Sequence, residues 1–488
     1  MREMIVWVVV LAIFLSMRTV IATDSRNISG GHCAEEREDP GDLIFTVPDL
    51  KSNETLETKK NKSRVCLPHP CADVEAYSGF IKVDKYSNST FFFLHVKSQA
   101  DADGKPLLLW LQGGPGKSSL FGQFLENGPL GIDANGSLFY RNHTVARYMN
   151  IIYLDQPSGS GYSFNDGKNY TTTLANASIF IIRFMRRFVR IFPEYLGRDF
   201  YIAGESYGAR FAVGLASKIL KKDKPEVPLR LKGVMLGVGF LFPLLDIINS
   251  TDYLYFSGLL NDDSRSSFAA QFMTIEDLVK DKNYSAAAWL LSRTVMNLGS
   301  KDRPSLFQRL TGFKHHGSIA RAQRNEEVAA YYNYANGSVF KKLIHVSSSR
   351  VLDGTRRQVV EALTLADLFE DHRYSVEYVF NRTRVLFYTG QFDAVFPEMN
   401  IERCFKKLQW RGSEIFQKAK RAFWHRENDT SLELLGYERI AGALTYANVL
   451  FGGHYISLDR SFAVSELYRR FLTSHGQITS VTTEMTAC

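Results

Sequence analysis

The sequence predicts an α/β protein: a central, mostly parallel sheet with helices on both faces, and a helical cap inserted in its second half. Three observations carry that expectation. Apolar runs without polar alternation, at 106–111 and 150–155, suit strands covered on both faces of a sheet. They alternate with segments whose apolar residues recur at helical spacing, the rhythm of parallel strands joined by crossover helices. That rhythm stops between about residues 246 and 372, where helical patterns dominate, and then resumes.

The 488 residues allow a large buried core. Length alone fits about three domains of about 150 residues, or one large enzymatic core with an insertion. A composition of 45% hydrophobic and 23% charged residues excludes a disordered chain. The net charge of +8 would suit nucleic acid or an anionic surface. No basic cluster with interleaved aromatics accompanies it, so the charge is assigned to solvated surface and no nucleic-acid partner is expected.

Arg2, an apolar run from Met4 to Leu15, and a small residue, Ala22, before Thr23 read as a cleaved secretory signal over 1–22. The run is too short for a stable membrane span. Sequons at Asn27, Asn53, Asn61, Asn88, Asn135, Asn142, Asn169, Asn176, Asn249, Asn283, Asn336, Asn381 and Asn428 point to the same pathway, for a secreted or lysosomal glycoprotein. Of the cysteines Cys33, Cys66, Cys71, Cys404 and Cys488, an odd number, at least one is left without an intramolecular partner, and their pairing is open. None has the spacing of a zinc site, and no metal or cofactor is expected.

After the signal, the polar, sequon-bearing residues 23–75 read as an extended or mobile arm, with ordered structure starting near Ala76. A first core segment spans 76–245. It opens with a hairpin of strands at 78–83 and 91–96 around a polar turn at 86–89. The strand at 106–111 runs into Gly113, Gly114, Pro115 and Gly116, and the strand at 150–155 breaks at Pro157. A helix follows over 174–192, with Phe180, Phe184, Phe188, Ile191 and Phe192 on one face. Its Arg183, Arg186, Arg187 and Arg190 are assigned to solvent. A strand, a turn at Ser206, a helix to about Lys222 and a strand at 231–237 complete this segment. The cap, 246–372, shows helical patterns around 275–298 and 358–369. A second core segment, 373–476, brings strands at 384–389 and 443–450 and a final helix over 462–472, before a tail at 477–488.

The stretch YIAGESYGAR at 201–210 is a strand, a glycine-flanked turn and a helix, with Ser206 at the centre of a G-x-S-x-G elbow. Such a turn projects the hydroxyl at the top of a sheet. A serine nucleophile needs a base to take its proton and an acid to hold that base in one tautomer. Asp393 follows the strand at 384–389, and His454 follows the strand at 443–450. The order Ser206, Asp393, His454 is the nucleophile, acid, base order of an α/β-hydrolase fold. Oxyanion donors are expected from the backbone N–H groups of Tyr207, which follows the nucleophile, and Gly114 in the glycine turn. His315 and His316, in the cap, lack such context and are expected to face solvent.

WLQGGPGKSS at 110–119, ENGP at 126–129, YLDQP at 153–157, GESY at 204–207, GQFD at 390–393 and GH at 453–454 together resemble the secreted serine carboxypeptidases, nearest their vitellogenic carboxypeptidase-like branch. The resemblance covers roughly residues 77–472. It implies an α/β-hydrolase fold with a helical cap, removal of residues from peptide and protein C-termini, and Ser206, Asp393 and His454 as a triad with Gly114 and Tyr207 as oxyanion hole. It further implies that Gln112, Glu126 and Glu205 bind the substrate's terminal carboxylate. That role is physically coherent, because two adjacent carboxyls do not easily ionise together, and a protonated pair donates hydrogen bonds to a carboxylate at acid pH.

Three positions depart from the pattern. Lys117 stands where the family usually has the cysteine of a disulfide, and its side chain is expected to turn to solvent rather than toward the carboxylate site. Ala209 follows Gly208 where the family generally has a small residue and then Gly or Ser, and its methyl is expected to crowd a close helix–strand contact. Gln112 replaces the commoner Asn, with the same amide and a longer reach. Two other functions fit the same scaffold: an acyltransferase delivering the acyl group to an alcohol, and a binding protein derived from a hydrolase. The carboxylate-binding residues argue against the first and the intact triad against the second. A homodimer is left open.

Overall fold

The computed structural model describes residues 41–68, 74–167, 169–222, 224–296, 304–426 and 433–473. The signal segment, the tail, Cys33, Cys71, Cys488 and the sequons at Asn27 and Asn428 lie outside them. In chain order the strands are β1 (Ile44–Phe45), β2 (Arg64–Val65), β3 (Ala76–Lys82), β4 (Thr90–Val96), β5 (Leu107–Leu111), β6 (Leu130–Ile132), β7 (Leu138–Tyr140) and β8 (Asn150–Leu154). They continue as β9 (Asp199–Glu205), β10 (Arg230–Gly237), β11 (Arg384–Gly390), β12 (Ala422–His425), β13 (Leu434–Ala441) and β14 (Leu444–Val449).

Twelve strands make one sheet in the order β1-β3-β4-β8-β5-β9-β10-β11-β14-β13-β12, with β2 beside β3, and β6 and β7 pair separately. The six central strands, β8 to β14 in that order, are parallel throughout. Antiparallel pairs extend the sheet at either side. The central strands are buried on both faces, which is why they lack polar alternation. Leu107, Leu109 and Leu111 of β5 join one core with Phe184, Phe188 and Phe211, whereas Leu108 and Trp110 join the other with Leu467 and Phe471. Each such leucine contributes on the order of 1.5–3 kcal/mol by leaving water, so the sheet is a rigid base for the loops at its edge.

The helices Leu174–Ile191 and Tyr207–Leu220 lie against the first core and Ser461–Thr473 against the second. Between β10 and β11 the chain is helical, from Leu244–Ile248 through Asp262–Lys280, Tyr284–Leu291 and Glu326–Asn336 to Arg356–Ala366. The helix expected around 275–298 is in fact two, separated where Lys282 takes a positive φ of 58°.

Order begins well before Ala76. Ile44 and Phe45 pair in parallel with Phe80 and Ile81, and Ser52 caps the helix Asn53–Lys62. Only Leu56 of that helix is buried, so no apolar stripe marks it in the sequence. Part of the arginine face assigned to solvent is covered: Arg190 donates to Leu50 O and Asn53 Oδ1 of the arm, and Arg183 pairs with Asp84, in the turn between β3 and β4, at 2.8 Å. The antiparallel strands β12 and β13 were not anticipated: β12 is four residues at the edge, and β13, eight residues beside it, shows no regular alternation of buried and exposed positions. Cys66 is disulfide-bonded and Cys404 is a free, buried thiol.

Candidate active site

All six parallel strands end at one edge of the sheet, and the loops that leave them carry the site. Ser206 follows β9 with φ 54° and ψ −120°. A non-glycine residue there is strained, and three backbone bonds hold it: its N–H donates to Gly237 O, and its carbonyl accepts from Ala209 and Phe240 N–H. The flanking glycines serve close approach, since a Cβ on Gly208 would lie 2.0 Å from Leu111 O and one on Gly204 2.3 Å from Gly208 O. The methyl of Ala209 is accommodated by a glycine opposite: a Cβ on Gly239 would come within 3.1 Å of it.

The loops after β11 and β14 bring Asp393 and His454 to this serine. His454 Nε2 lies 3.1 Å from Ser206 Oγ, and Nδ1 lies 2.9 Å from Asp393 Oδ2. Asp393 is fully buried, and its other oxygen accepts N–H bonds from Val395 at 2.7 Å and Phe396 at 3.1 Å. With Asp393 accepting from Nδ1–H, Nε2 is left to accept the serine proton. Gly113, Gly114 and Tyr207 line the same cavity as Ser206. Gly113 packs so near the elbow that a Cβ there would lie 3.0 Å from Tyr207 N.

The glycine turn is anchored by two aspartates, Asp155 fully buried and Asp353 partly so, whose part was not foreseen. Asp155 accepts from Ser118 Oγ, Ser119 N–H and Tyr162 N–H at 2.7–2.9 Å. Asp353 accepts from Ser118 N–H and Tyr332 Oη. Burial pushes Asp155 up to about 7 despite those bonds. A buried strand ending in Asp before a Gln-Pro break was the available signal for Asp155; Asp353 had none, being 198 positions away.

At the other end of the cavity Gln112 accepts from Trp110 Nε1 at 2.9 Å and donates to Glu205 Oε1 at 3.1 Å. Glu126 lies beside Glu205, fully buried, and neither of its carboxyl oxygens accepts a bond from an N–H or hydroxyl donor. Burial and the neighbouring carboxyl raise Glu205 well above the ordinary range, and burial raises Glu126 to about 7. The pair therefore keeps a proton between its members at a pH where isolated carboxyls are ionised.

A family model described as serine carboxypeptidase matches residues 68–474. The chain belongs to the serine carboxypeptidase family. It is similar to the venom serine carboxypeptidase of Apis mellifera, 30% identical over 90% of this chain and 92% of that protein, and to the vitellogenic carboxypeptidase of Aedes aegypti, 30% identical over 86% and 88%. In fold it is similar to the crystal structure of KEX1(delta)p, a prohormone-processing carboxypeptidase from Saccharomyces cerevisiae: TM-score 0.73, 17% identity, 85% of this chain and 96% of that one. The α/β-hydrolase expectation and the assignment to serine-type carboxypeptidases both hold.

Two readings of this serine carboxypeptidase's sequence change. Lys117 does not turn to solvent; its Nζ donates to Tyr455 Oη at 2.6 Å and lies 4.6 Å from the ring centres of both Phe121 and Tyr455, because aromatic faces attract an ammonium. His315 and His316 line the cavity rather than facing solvent, since the cap segment folds back onto the catalytic loops: Gly317 O accepts from His454 N–H at 2.7 Å. Burial, with the nearby His454 and His315, holds His316 down to about 3, so it is neutral.

A second polar network reaches the elbow from the cap. Tyr207 Oη donates to Asp367 Oδ2, which also pairs with the buried Arg210 at 2.9 Å, and His372 Nε2 lies 3.0 Å from Asp367 Oδ1. Burial alone would raise the Asp367 carboxyl; the His372 bond, the Arg210 charge and the Tyr207 hydroxyl hold it down at about 2. Sequence reasoning missed this group, though an arginine one turn into an apolar helix after the elbow is a visible anomaly.

Proposed function

We propose that this protein removes residues from the C-termini of peptides through an acyl-enzyme on Ser206, with an acid preference, in the secretory pathway. The observation that carries the reading is a serine–histidine–aspartate chain whose Ser206 and His454 line a cavity of about 310 Å³ together with Gln112 and Glu205, the latter one member of a buried carboxyl pair. In the proposed reaction His454 Nε2 takes the Ser206 proton as Oγ attacks the last peptide carbonyl. The oxyanion is received by the N–H groups of Gly114 and Tyr207. His454 then gives its proton to the departing amine of the terminal residue, and a water, deprotonated by His454 in turn, releases the shortened peptide.

Gln112, Glu126 and Glu205 receive the substrate's terminal carboxylate in this reading, with the proton of the pair donated to it. As pH rises through the pair's raised range a second charge appears and repels the substrate. The apolar wall of Phe240, Leu244, Ile248, Leu291, Val360 and Leu368 suits an apolar residue on the acyl side. No helix among the described residues is long and apolar enough to cross a membrane, and the sequons and the venom relative support secretory routing.

Mass spectrometry of a peptide incubated with the protein at pH 5 tests the proposal. Stepwise loss of C-terminal residues, absent with the C-terminal amide or after organophosphonate labelling of Ser206, is the expected result. Internal cleavage, or equal hydrolysis of acid and amide, would overturn it. The acid preference fails separately if KM is flat from pH 5 to pH 7.5.

A further inference from the structure

The cavity wall carries a cation that the reaction above does not use. Lys117 Nζ has one polar partner, the Tyr455 hydroxyl, and among the described residues no carboxylate oxygen lies within ion-pair distance of it. It lines the cavity together with Gln112, Glu205, Ser206 and His454. Its charge nevertheless reaches both members of the carboxyl pair and draws each of them down. An ammonium offers three donors, and the bond to Tyr455 uses one. The Phe121 and Tyr455 rings, packed 5.1 Å apart, form one aromatic corner that holds it, so less side-chain freedom remains to be lost when an anion arrives. Carboxyls act on this charge only across a distance, those of Glu126, Glu205 and Asp353, and a ligand carboxylate in direct contact adds the hydrogen-bonded partner that a partly desolvated ammonium lacks.

We infer that Lys117 is a substrate-binding residue that receives the C-terminal carboxylate of the peptide beside Gln112 and the Glu126–Glu205 pair. The inference rests on the carboxypeptidase reading for the substrate class, and it changes how that substrate is chosen. A pair holding one proton carries one negative charge, which Lys117 balances, so the arriving carboxylate meets a neutral site with a free donor. Selection of a free C-terminus then depends on charge as well as on the hydrogen bonds of Gln112 and the protonated carboxyl.

The test separates binding from turnover. In the full-length glycosylated protein carrying Ser206→Ala, calorimetry at pH 5 measures the affinities of N-acetyl-Phe-Leu and of its C-terminal amide, with Lys117 intact, Lys117→Met and Lys117→Arg. The expected result is that Lys117→Met weakens the acid about tenfold, leaves the amide within about twofold, and that Lys117→Arg restores most of the loss. An acid-to-amide ratio unchanged by Lys117→Met, equal weakening of both ligands, or no binding of the acid with Lys117 intact overturns the inference. In the active protein the same substitution should raise KM for the acid and spare kcat. Absence of peptide hydrolysis by the unsubstituted protein, with the calorimetric ratio behaving as expected, would sink the carboxypeptidase reading and leave the Lys117 assignment standing.

Discussion

At the serine end of the cavity Ser206, His454 and Asp393 are each hydrogen-bonded before any ligand arrives, whereas at the carboxyl end both oxygens of Glu126 lack an N–H or hydroxyl donor. The difference is one of preparation against demand. Groups that move protons have to be held in reacting geometry in advance, and fixed dipoles around a buried aspartate do that. A carboxyl left without donors from the protein is instead driven to keep a proton, and a proton so kept is what it has to offer an acceptor. The incomplete end lies within a buried wall, so its cost appears as carboxyls pushed toward neutrality.

The comparison can be broken at either end. Largest is the serine end: Ser206→Ala should lower kcat on the order of 10⁴- to 10⁶-fold with the fold intact, and Asp393→Asn by about 10⁴-fold through the wrong imidazole tautomer. Steady-state kinetics alongside circular dichroism checks both, and retention of a tenth of the activity in either would remove the triad from the account.

Asp367→Ala probes the prepared end from behind. It leaves the charge of Arg210 buried and unpaired and should cost about 3–5 kcal/mol of stability, seen as a lower Tm, and it frees the Tyr207 side chain next to the oxyanion donor. Where folded protein is recovered, kcat should fall more than KM changes; an unaltered Tm would show that the network bears no load.

At the incomplete end, Glu126→Gln replaces the shared proton by a permanent amide. The rise of KM between pH 5 and pH 7.5 should flatten, by a factor of about ten over that range if a hydrogen bond to a charged group is exchanged for repulsion. An identical pH profile in the variant would mean that the pair does not govern binding.

Smallest is the effect on stability itself. Glu126 and Asp155, both raised to about 7, bind protons in the folded chain at pH values where the unfolded carboxyls, near 4.5 and 3.8, have released them. The folded state then binds more protons, so stability falls as pH rises from about 5 toward 7. Asp367 and Glu402, held at about 2, act in the opposite sense and protect only above their ordinary values, losing that protection as pH falls. His316 and His95, held down at about 3 and about 4, oppose this by gaining stability as pH rises toward 6.5, so the raised carboxyl is read as a difference: from pH 5 to pH 7.5 the Tm of the parent should fall relative to that of Glu126→Gln, and a constant difference would contradict it.

Local pattern carried a good deal of this molecule. The apolar runs of β5, β8 and β9 are strands because nothing else buries both faces of such short segments, and the elbow glycines announced the turn at Ser206. Asp393 and His454 were legible as residues just past strand ends. The helix Asn53–Lys62 was not, because it is anchored by side chains far along the chain, Arg190 on Asn53 and Glu194 on Lys60, rather than by its own apolar face. Lys117 was misjudged for the same reason: the Tyr455 ring that holds it lies 338 positions away.

The sequence by itself determined the central parallel strands, the order of Ser206, Asp393 and His454 behind them and the family, since each is written in local periodicity or in motifs along the chain. Only the tertiary structure decided where Lys117 and His316 point, that Glu126 is buried beside Glu205, and that Asp367 reaches the elbow. Those outcomes depend on which distant surfaces exclude water from a charged group, and exclusion of water is a property of packed neighbours that no stretch of residues carries alone.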